Sequence, residues 1–209
     1  MCVTEIDATR ALLVEADRFL TERQGEVIAL TSALVAAPTP NPPGDELAAA
    51  AVIERALSHY GLPTPRVVAE EPHRPNLLVR IDGARPGPHL ALCGHLDTKP
   101  VGDAAPEWRT DPFTPVIEGD RLFALGSTDM KGACAAMVLA GAAFARIAER
   151  AAGSLSLVFT ADEDPHGPRR ALAVEPMTAQ ADAFRSREDL VLLSPGHTFS
   201  SSWGIRALP

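Results

Sequence analysis

Apolar residues near the N-terminus recur at the spacing of one face of an α-helix. We predict two helical segments within residues 5–36, which meet near Gly25, followed by a rigid, proline-rich loop over residues 38–44. Asp45 is expected to cap a further helix, which runs to about residue 60 and is stopped by Gly61. The apolar positions with helical spacing are Leu12, Leu13, Ala16, Phe19, Leu20, Val27, Leu30, Leu34 and Val35.

Short apolar runs between turn residues predict the strands of a sheet. A hairpin is expected where Gly119 and Asp120 separate two such runs, and an alanine-rich run predicts a long helix over residues 131–150. Strands alternate with helices, which is typical of an α/β layer architecture. The predicted strands cover residues 67–70, 76–81, 90–93, 115–118, 121–125, 154–160 and 190–193, with a loop over 98–114 and a helix around 168–185.

Composition and charge narrow the class of protein. The 209 residues carry a formal net charge of −8, which argues against a nucleic-acid partner or an anionic membrane surface. Cys2, Cys93 and Cys134 have no paired spacing, so we expect neither a disulfide scaffold nor a cysteine-based zinc site. No apolar signal segment is visible, and the apolar run 132–145 is too short and alanine-rich to span a bilayer. We therefore expect a cytoplasmic protein.

One predicted buried strand ends in the sequence GHLD, residues 94–97. Because side chains alternate along a strand, His95 and Asp97 should project to the same side. They would lie at the carboxyl edge of the sheet, where α/β folds bind ligands. A neutral imidazole can bind a metal through one nitrogen while a carboxylate accepts the other N–H. The simpler alternative is a histidine that caps a strand beside an exposed aspartate.

Two further acidic positions follow predicted strands. Asp129 precedes the alanine-rich helix in the sequence GSTDMKG, where it is either an N-cap or a metal ligand. Asp162, Glu163 and Asp164 follow an apolar strand, either as a solvated acidic turn or as carboxylates whose repulsion a divalent cation offsets. One or two elements separate these clusters from each other and from His95, so that all could converge on one edge of the sheet.

The donors in these clusters are histidine and carboxylate without thiolate. They suit one or two ions of zinc, cobalt or manganese, with zinc first. A carboxylate beside a metal can take a proton from a water molecule whose pKa the metal lowers. This combination is the chemistry of amide-bond hydrolysis.

The chain resembles the M20 family of metallopeptidases and deacylases, the ArgE/DapE/carboxypeptidase G2 group, in the segments GHLDTKPVGDAAPEWRTDPFTPVIEGDRLFALGSTDMKGACAAM and LSLVFTADED. The resemblance covers roughly residues 10–170. Its motifs are HLD, a W-x4-F-x-P segment that begins at Trp108, and an S-x-D-M-K-G turn. It implies a zinc-dependent exopeptidase-like α/β fold, with a mixed sheet flanked by helices. It also implies metal-dependent hydrolysis of a small N-acyl amino acid or peptide.

The resemblance also implies a role for each candidate residue. His95 would bind the first metal, and Asp97 would orient His95. Asp129 would bridge both metals, and the peptide bond that follows it is often cis in the family. Glu163 would be the general base, and Asp164 would bind the second metal at a position where the family usually has glutamate.

The chain departs from the family pattern near its C-terminus. The family's next metal ligand is an aspartate or glutamate, and it has no counterpart after the predicted strand 190–193. The family's last histidine ligand and its lid and dimerisation domain have no counterpart either. We therefore expect residues 1–209 to form one partial catalytic domain, with an irregular tail over 194–209. Candidate substitutes for the next ligand are Glu188, Asp189 and His197.

Two functions are compatible with this reduced set of ligands. The first is an enzyme that hydrolyses amide bonds with metal-activated water. The second is an inactive remnant or binding module that retains the fold and holds at most one metal. Metal content would separate them, because two bound ions per chain support the enzyme.

Overall fold

The computed structural model describes the backbone of residues 3–162 and the side chains of residues 9–162. These residues belong to one compact unit, Met1–Pro165. The predicted helix around 168–185, the predicted strand 190–193 and the predicted tail 194–209 lie outside the described residues.

Within residues 3–162, four α-helices form where the sequence predicts helices. They are α1 (Val3–Thr21), α2 (Gln24–Val35), α3 (Leu47–His59) and α4 (Gly132–Ile147). The division of the N-terminal helical region into two is confirmed, but the break lies at residues 22–23, and Gly25 falls in the first turn of α2. Asp45 lies one residue before the N-cap of α3, and its carboxylate still accepts a hydrogen bond from the Leu47 amide at 3.2 Å.

The strands in the described part of the chain form one four-stranded sheet and one separate hairpin. They are β1 (Arg66–Val68), β2 (Asn76–Asp82), β3 (Arg85–His95), β4 (Val116–Glu118), β5 (Arg121–Phe123) and β6 (Ala152–Thr160). The main sheet has the order β1-β2-β6-β3, in which β6 is antiparallel to β2 and parallel to β3. The predicted mixed sheet is therefore confirmed. The hairpin β4-β5 turns at Gly119, whose φ of +63° suits glycine, as the sequence predicts.

The core lies between the helices and one face of the main sheet. Alternate side chains of β2 and β6 are buried there, and α4 lies across them. The approach of α4 depends on Gly141, because a Cβ atom at this position would lie 2.8 Å from Cδ1 of Leu157. The buried strand residues on this face are Leu77, Val79, Ile81, Leu155, Leu157 and Phe159.

The strand that the sequence predicts to be buried lies at an edge of the described sheet. In β3, Leu90 is 58% exposed, and the strand becomes buried only at Gly94 and His95. An apolar run predicts a strand but does not distinguish a central strand from an edge strand. The prediction of a buried strand over residues 90–93 is therefore wrong, although its C-terminal end is buried as expected.

The alanine-rich apolar run 132–145 lies within a longer stretch, Ser127–Ile147, which joins α4 to the turn that precedes it. Residues Ser127–Ile147 are long and apolar enough to cross a membrane by length and composition alone, which corrects the expectation that this run is too short. Of the most apolar part of this stretch, 56% is buried within the protein. Packing of α4 on the sheet accounts for that apolar character.

Candidate metal centre

The carboxyl ends of β3 and β6 meet at one edge of the sheet. His95 of β3 lies beside Thr160 of β6 in the parallel register, and the Leu96 amide donates to the Thr160 carbonyl at 2.8 Å. The HLD motif and the start of the acidic run therefore leave the sheet side by side. Glu163 and Asp164, the expected general base and second-metal ligand, lie outside the described residues.

His95 and Asp97 face each other, as the alternation of a strand predicts. The Nδ1 atom of His95 lies 3.0 Å from Oδ1 of Asp97, and both residues are buried. The other carboxylate oxygen of Asp97 accepts a hydrogen bond from Nδ2 of Asn41 at 2.9 Å. The carboxylate thus fixes the orientation of the imidazole, and the alternative of an exposed aspartate beside a capping histidine is wrong.

Asp129 lies on the other side of the imidazole ring. Its Oδ1 atom is 3.1 Å from Nε2 of His95, and its side chain is 75% exposed. Asp129 sits in a turn, Ser127–Lys131, and its peptide bond to Met130 is cis, as the resemblance implies. The N-cap of α4 is Lys131, and Asp129 makes no capping hydrogen bond. Of the two hypotheses for Asp129, the structure therefore does not support the N-cap.

The protonation of His95 depends on these two carboxylates. Burial lowers the pKa of His95, but hydrogen bonds and charge from Asp97 and Asp129 outweigh burial and raise that pKa to about 9. Burial raises the pKa of Asp97, but hydrogen bonds from His95 and Asn41 outweigh burial. The pKa of Asp97 therefore lies below the ordinary value for an aspartate. Near neutral pH the metal-free imidazole therefore carries a proton on Nε2, which a cation bound at that nitrogen would replace.

The donor chemistry of this pair fits a divalent transition metal. Nε2 of His95 and Oδ1 of Asp129 lie close enough to share one ion, and Asp97 holds the opposite ring nitrogen, as in metal sites with an oriented histidine. Nitrogen and oxygen donors without thiolate suit zinc, cobalt or manganese. Among residues 9–162, no group of three or more histidine, cysteine or acidic residues is placed to hold a metal.

Asp162, the first residue of the acidic run, has a cationic partner. Nη2 of Arg74 lies 3.0 Å from Oδ2 of Asp162, and Nε of Arg74 lies 3.2 Å from Oε2 of Glu46, whose side chain is fully buried. Burial raises the pKa of Glu46, and Arg74 only partly offsets this increase. The interpretation of the run as a fully solvated turn is therefore wrong at Asp162, where a guanidinium supplies the opposite charge.

A buried lysine anchors the turn that carries Asp129. Lys131 is 1% exposed, and its Nζ donates to the carbonyl of Ala37, just beyond α2, at 2.7 Å. Burial lowers the pKa of this lysine to about 8. Cys134, one turn further, donates to the carbonyl of His95 at 3.3 Å. These two contacts join the start of α4 to both the loop after α2 and the end of β3.

Sequence reasoning missed Asn41, Arg74 and Glu46 as neighbours of this centre. Asn41 lies in a loop that the proline content identifies only as rigid, and Arg74 lies in a polar connection before β2. The only sequence indication is that Asn41 is an isolated amide side chain among prolines. Arg74 and Glu46 give no such indication, because their partners are distant along the chain.

Comparison with known proteins finds a matching family and several similar sequences. The profile of peptidase family M20/M25/M40 matches residues 91–198. Succinyl-diaminopimelate desuccinylase of Rhizorhabdus wittichii is 42% identical over 139 residues, which are 65% of this chain and 34% of the relative. The enzyme of the same name from Sphingopyxis alaskensis is 36% identical over 174 residues, 82% of this chain and 43% of the relative. The chain therefore spans less than half of the length of these relatives.

Two solved structures share the fold. The M20 family metallo-carboxypeptidase Sso-CP2 from Sulfolobus solfataricus has a TM-score of 0.56 and 22% identity, over 65% of this chain and 30% of that one. The di-peptidase Dug1p from Saccharomyces cerevisiae has a TM-score of 0.57 and 19% identity, over 71% of this chain and 34% of that one. At these identities the similarity concerns the fold alone.

Proposed function

Because this chain belongs to peptidase family M20/M25/M40, we propose that it carries the metal-binding part of a hydrolase that cleaves amide bonds. The observation that carries this proposal is the placement of His95 between Asp97 and Asp129, at 3.0 and 3.1 Å. This arrangement pairs one exposed carboxylate with one oriented imidazole, and metal-binding histidines are commonly oriented by a carboxylate in this way.

The proposed substrate is a small N-acyl amino acid or a small peptide. The relatives from Rhizorhabdus wittichii and Sphingopyxis alaskensis are named succinyl-diaminopimelate desuccinylases, so an N-succinyl amino acid is the first substrate to test. The proposed cofactor is one or two zinc ions, with cobalt or manganese as substitutes, because the donors are nitrogen and oxygen.

Each residue has a proposed part in the reaction. His95 and Asp129 would hold the first metal, Asp164 would bind a second, and Asp97 would keep Nε2 of His95 directed at the first. When bound, the metal supplies Lewis-acid activation of water and of the amide carbonyl. Glu163 would accept the proton that the attacking water loses and deliver it to the leaving amine nitrogen, which then departs as a neutral amine.

The proposal extends to the setting of the protein. We place residues 1–209 in one catalytic domain that forms part of a longer family architecture, since the chain spans 34% and 43% of two relatives. A cytoplasmic location is supported by Cys93 and Cys134, which are both free thiols.

Hydrolysis of an N-succinyl amino acid by the zinc-loaded chain tests this function. Glu163→Gln should lower turnover roughly 10²–10⁴-fold while the zinc content stays unchanged. Glu149→Gln is the matched control, because Glu149 is exposed beyond the end of α4 and should leave turnover unchanged. Undiminished turnover in Glu163→Gln would remove Glu163 from the mechanism, and a parallel loss of zinc would make it a ligand instead.

The rival function is a module that holds at most one metal and does not catalyse. Within the described residues, His95 and Asp129 are two donors without a third, and this observation favours the rival. Binding of a single zinc ion without hydrolysis would support the rival and contradict the enzyme.

A further inference from the structure

The loop between α2 and α3 is hydrogen-bonded to the segment that follows β3. The backbone N–H of Asn41 donates to the backbone carbonyl of Thr98 at 2.8 Å, and the backbone N–H of Thr98 donates to the backbone carbonyl of Thr39 at 2.9 Å. The Thr39 hydroxyl donates to the Leu96 carbonyl at 2.7 Å. The loop therefore runs alongside residues 96–98 as a short parallel bridge and brings Asn41 to the carboxylate of Asp97.

Asn41 and His95 contact opposite oxygens of the same carboxylate. Nδ2 of Asn41 donates to Oδ2 of Asp97 at 2.9 Å, while Oδ1 faces Nδ1 of His95 at 3.0 Å. A carboxylate held at one oxygen can rotate about the χ2 torsion, whose distribution of angles is broad for aspartate. Contacts at both oxygens fix the plane of the carboxylate, and the plane of the carboxylate fixes the direction of the imidazole.

We propose that Asn41 is a positioning residue that fixes Asp97 and, through Asp97, directs Nε2 of His95 at a metal. This inference rests on the proposed role of His95 as a metal ligand. An amide suits this position because it donates a hydrogen bond without adding charge. A lysine or arginine in its place would compete with the imidazole for the negative charge of Asp97.

A double-mutant cycle on zinc affinity tests whether Asn41 acts through Asp97. Chelator-treated wild type, Asn41→Ala, Asp97→Ala and the double variant are titrated with zinc chloride by calorimetry. Asp97→Ala should weaken zinc binding roughly 10–100-fold, as is typical when a group that hydrogen-bonds to a metal ligand is removed. Asn41→Ala should weaken binding about tenfold in the wild type, because the lost hydrogen bond is to a charged group. Asn41→Ala should have no further effect on zinc affinity in the Asp97→Ala background.

A second variant separates positioning from general support of the loop. Thr39→Val removes the hydroxyl contact with Leu96 but keeps both backbone hydrogen bonds between the loop and Thr98. It should lower the melting temperature with little change in zinc affinity. The visible spectrum of the cobalt(II) form should change in Asn41→Ala and stay unchanged in Thr39→Val, because the spectrum follows the ligand geometry.

The outcomes separate this inference from the proposed function. Equal zinc affinity and an unchanged cobalt(II) spectrum in Asn41→Ala would overturn the positioning role while leaving His95 as a ligand. Additive losses for Asn41→Ala and Asp97→Ala would also overturn it, since the two residues would then act independently. Failure of the wild type to bind zinc or cobalt would overturn the proposed function first, and the positioning role with it.

Discussion

Arg74 and Asp162 are joined by an ion pair of 3.0 Å although 88 residues separate them in the chain. Arg74 also contacts the buried carboxylate of Glu46 at 3.2 Å, at the N-terminus of α3. The guanidinium thus links the N-terminus of α3 to Asp162, the first residue of the acidic run that follows β6. Oε1 of Glu46 has no hydrogen-bond partner among the described residues, so Arg74 is the main compensation for this buried charge.

Removal of Arg74 should destabilise the protein strongly. Arg74→Met leaves Glu46 buried without its partner, which typically costs about 3–5 kcal/mol in the free energy of unfolding. Adding Glu46→Gln to the Arg74→Met variant should recover part of that lost stability, because the buried charge is then absent. The control is Arg80→Met, which breaks an exposed pair with Asp82 and a hydrogen bond to the Ser154 hydroxyl, and which should cost less than Arg74→Met because it leaves no buried charge unpaired. Urea unfolding measures all four chains, and equal midpoints for Arg74→Met and Arg80→Met would contradict the account.

The turn that carries Asp129 depends on Gly126. Gly126 has a φ of +76°, and a Cβ atom there would lie 2.5 Å from Cγ2 of Thr98. Gly61 has a φ of +66° with no atom within 4 Å of such a Cβ, so it is a matched control for backbone strain alone. Gly61→Ala should cost about 1–2 kcal/mol, and Gly126→Ala should cost more because it adds the clash. Thermal unfolding that ranks Gly61→Ala as the more harmful change would contradict this assignment.

The single tyrosine of the chain should ionise at unusually high pH. Burial, together with the hydrogen bond from the Tyr60 hydroxyl to Glu26 and the charge of Glu26, raises the pKa of Tyr60 to about 12 from an ordinary value of 10.0. Because the folded-state pKa is the higher one, this stabilising contribution is complete below pH 10 and is lost as the pH rises toward 12.

Absorbance of the phenolate measures this ionisation directly. The midpoint should lie well above the midpoint of the urea-unfolded chain, which is expected at about 10. Glu26→Gln should lower the midpoint of the folded chain, because the carboxylate charge is removed. A folded-chain midpoint equal to the unfolded one would show that Tyr60 does not contact Glu26 in solution.

Features that depend on neighbouring residues could be predicted from the sequence. The two-part helical region, the hairpin at Gly119 and the shared side of His95 and Asp97 follow from local periodicity and turn chemistry. The alternation of strands and helices predicts α/β layers, and the mixed sheet follows from the resemblance to the M20 family.

Features that depend on pairing between distant segments could not be predicted. The edge position of β3 is set by which strand pairs with β6, and an apolar run carries no information on that choice. The contacts of Asn41 with Asp97 and of Arg74 with Asp162 bridge 56 and 88 residues. A sequence shows that such polar groups exist, but only the fold shows which of them meet.

Zinc binding by variants of His95 tests whether His95 and Asp129 form a metal centre. The chelator-treated protein is titrated with zinc chloride as wild type, as His95→Ala, and as His89→Ala, an exposed histidine of the same strand β3. The account predicts that His95→Ala loses more than the roughly 10–100-fold in affinity that outer partners contribute, while His89→Ala binds as the wild type does. Equal zinc affinity of His95→Ala and the wild type would contradict the claim that His95 and Asp129 form a metal centre.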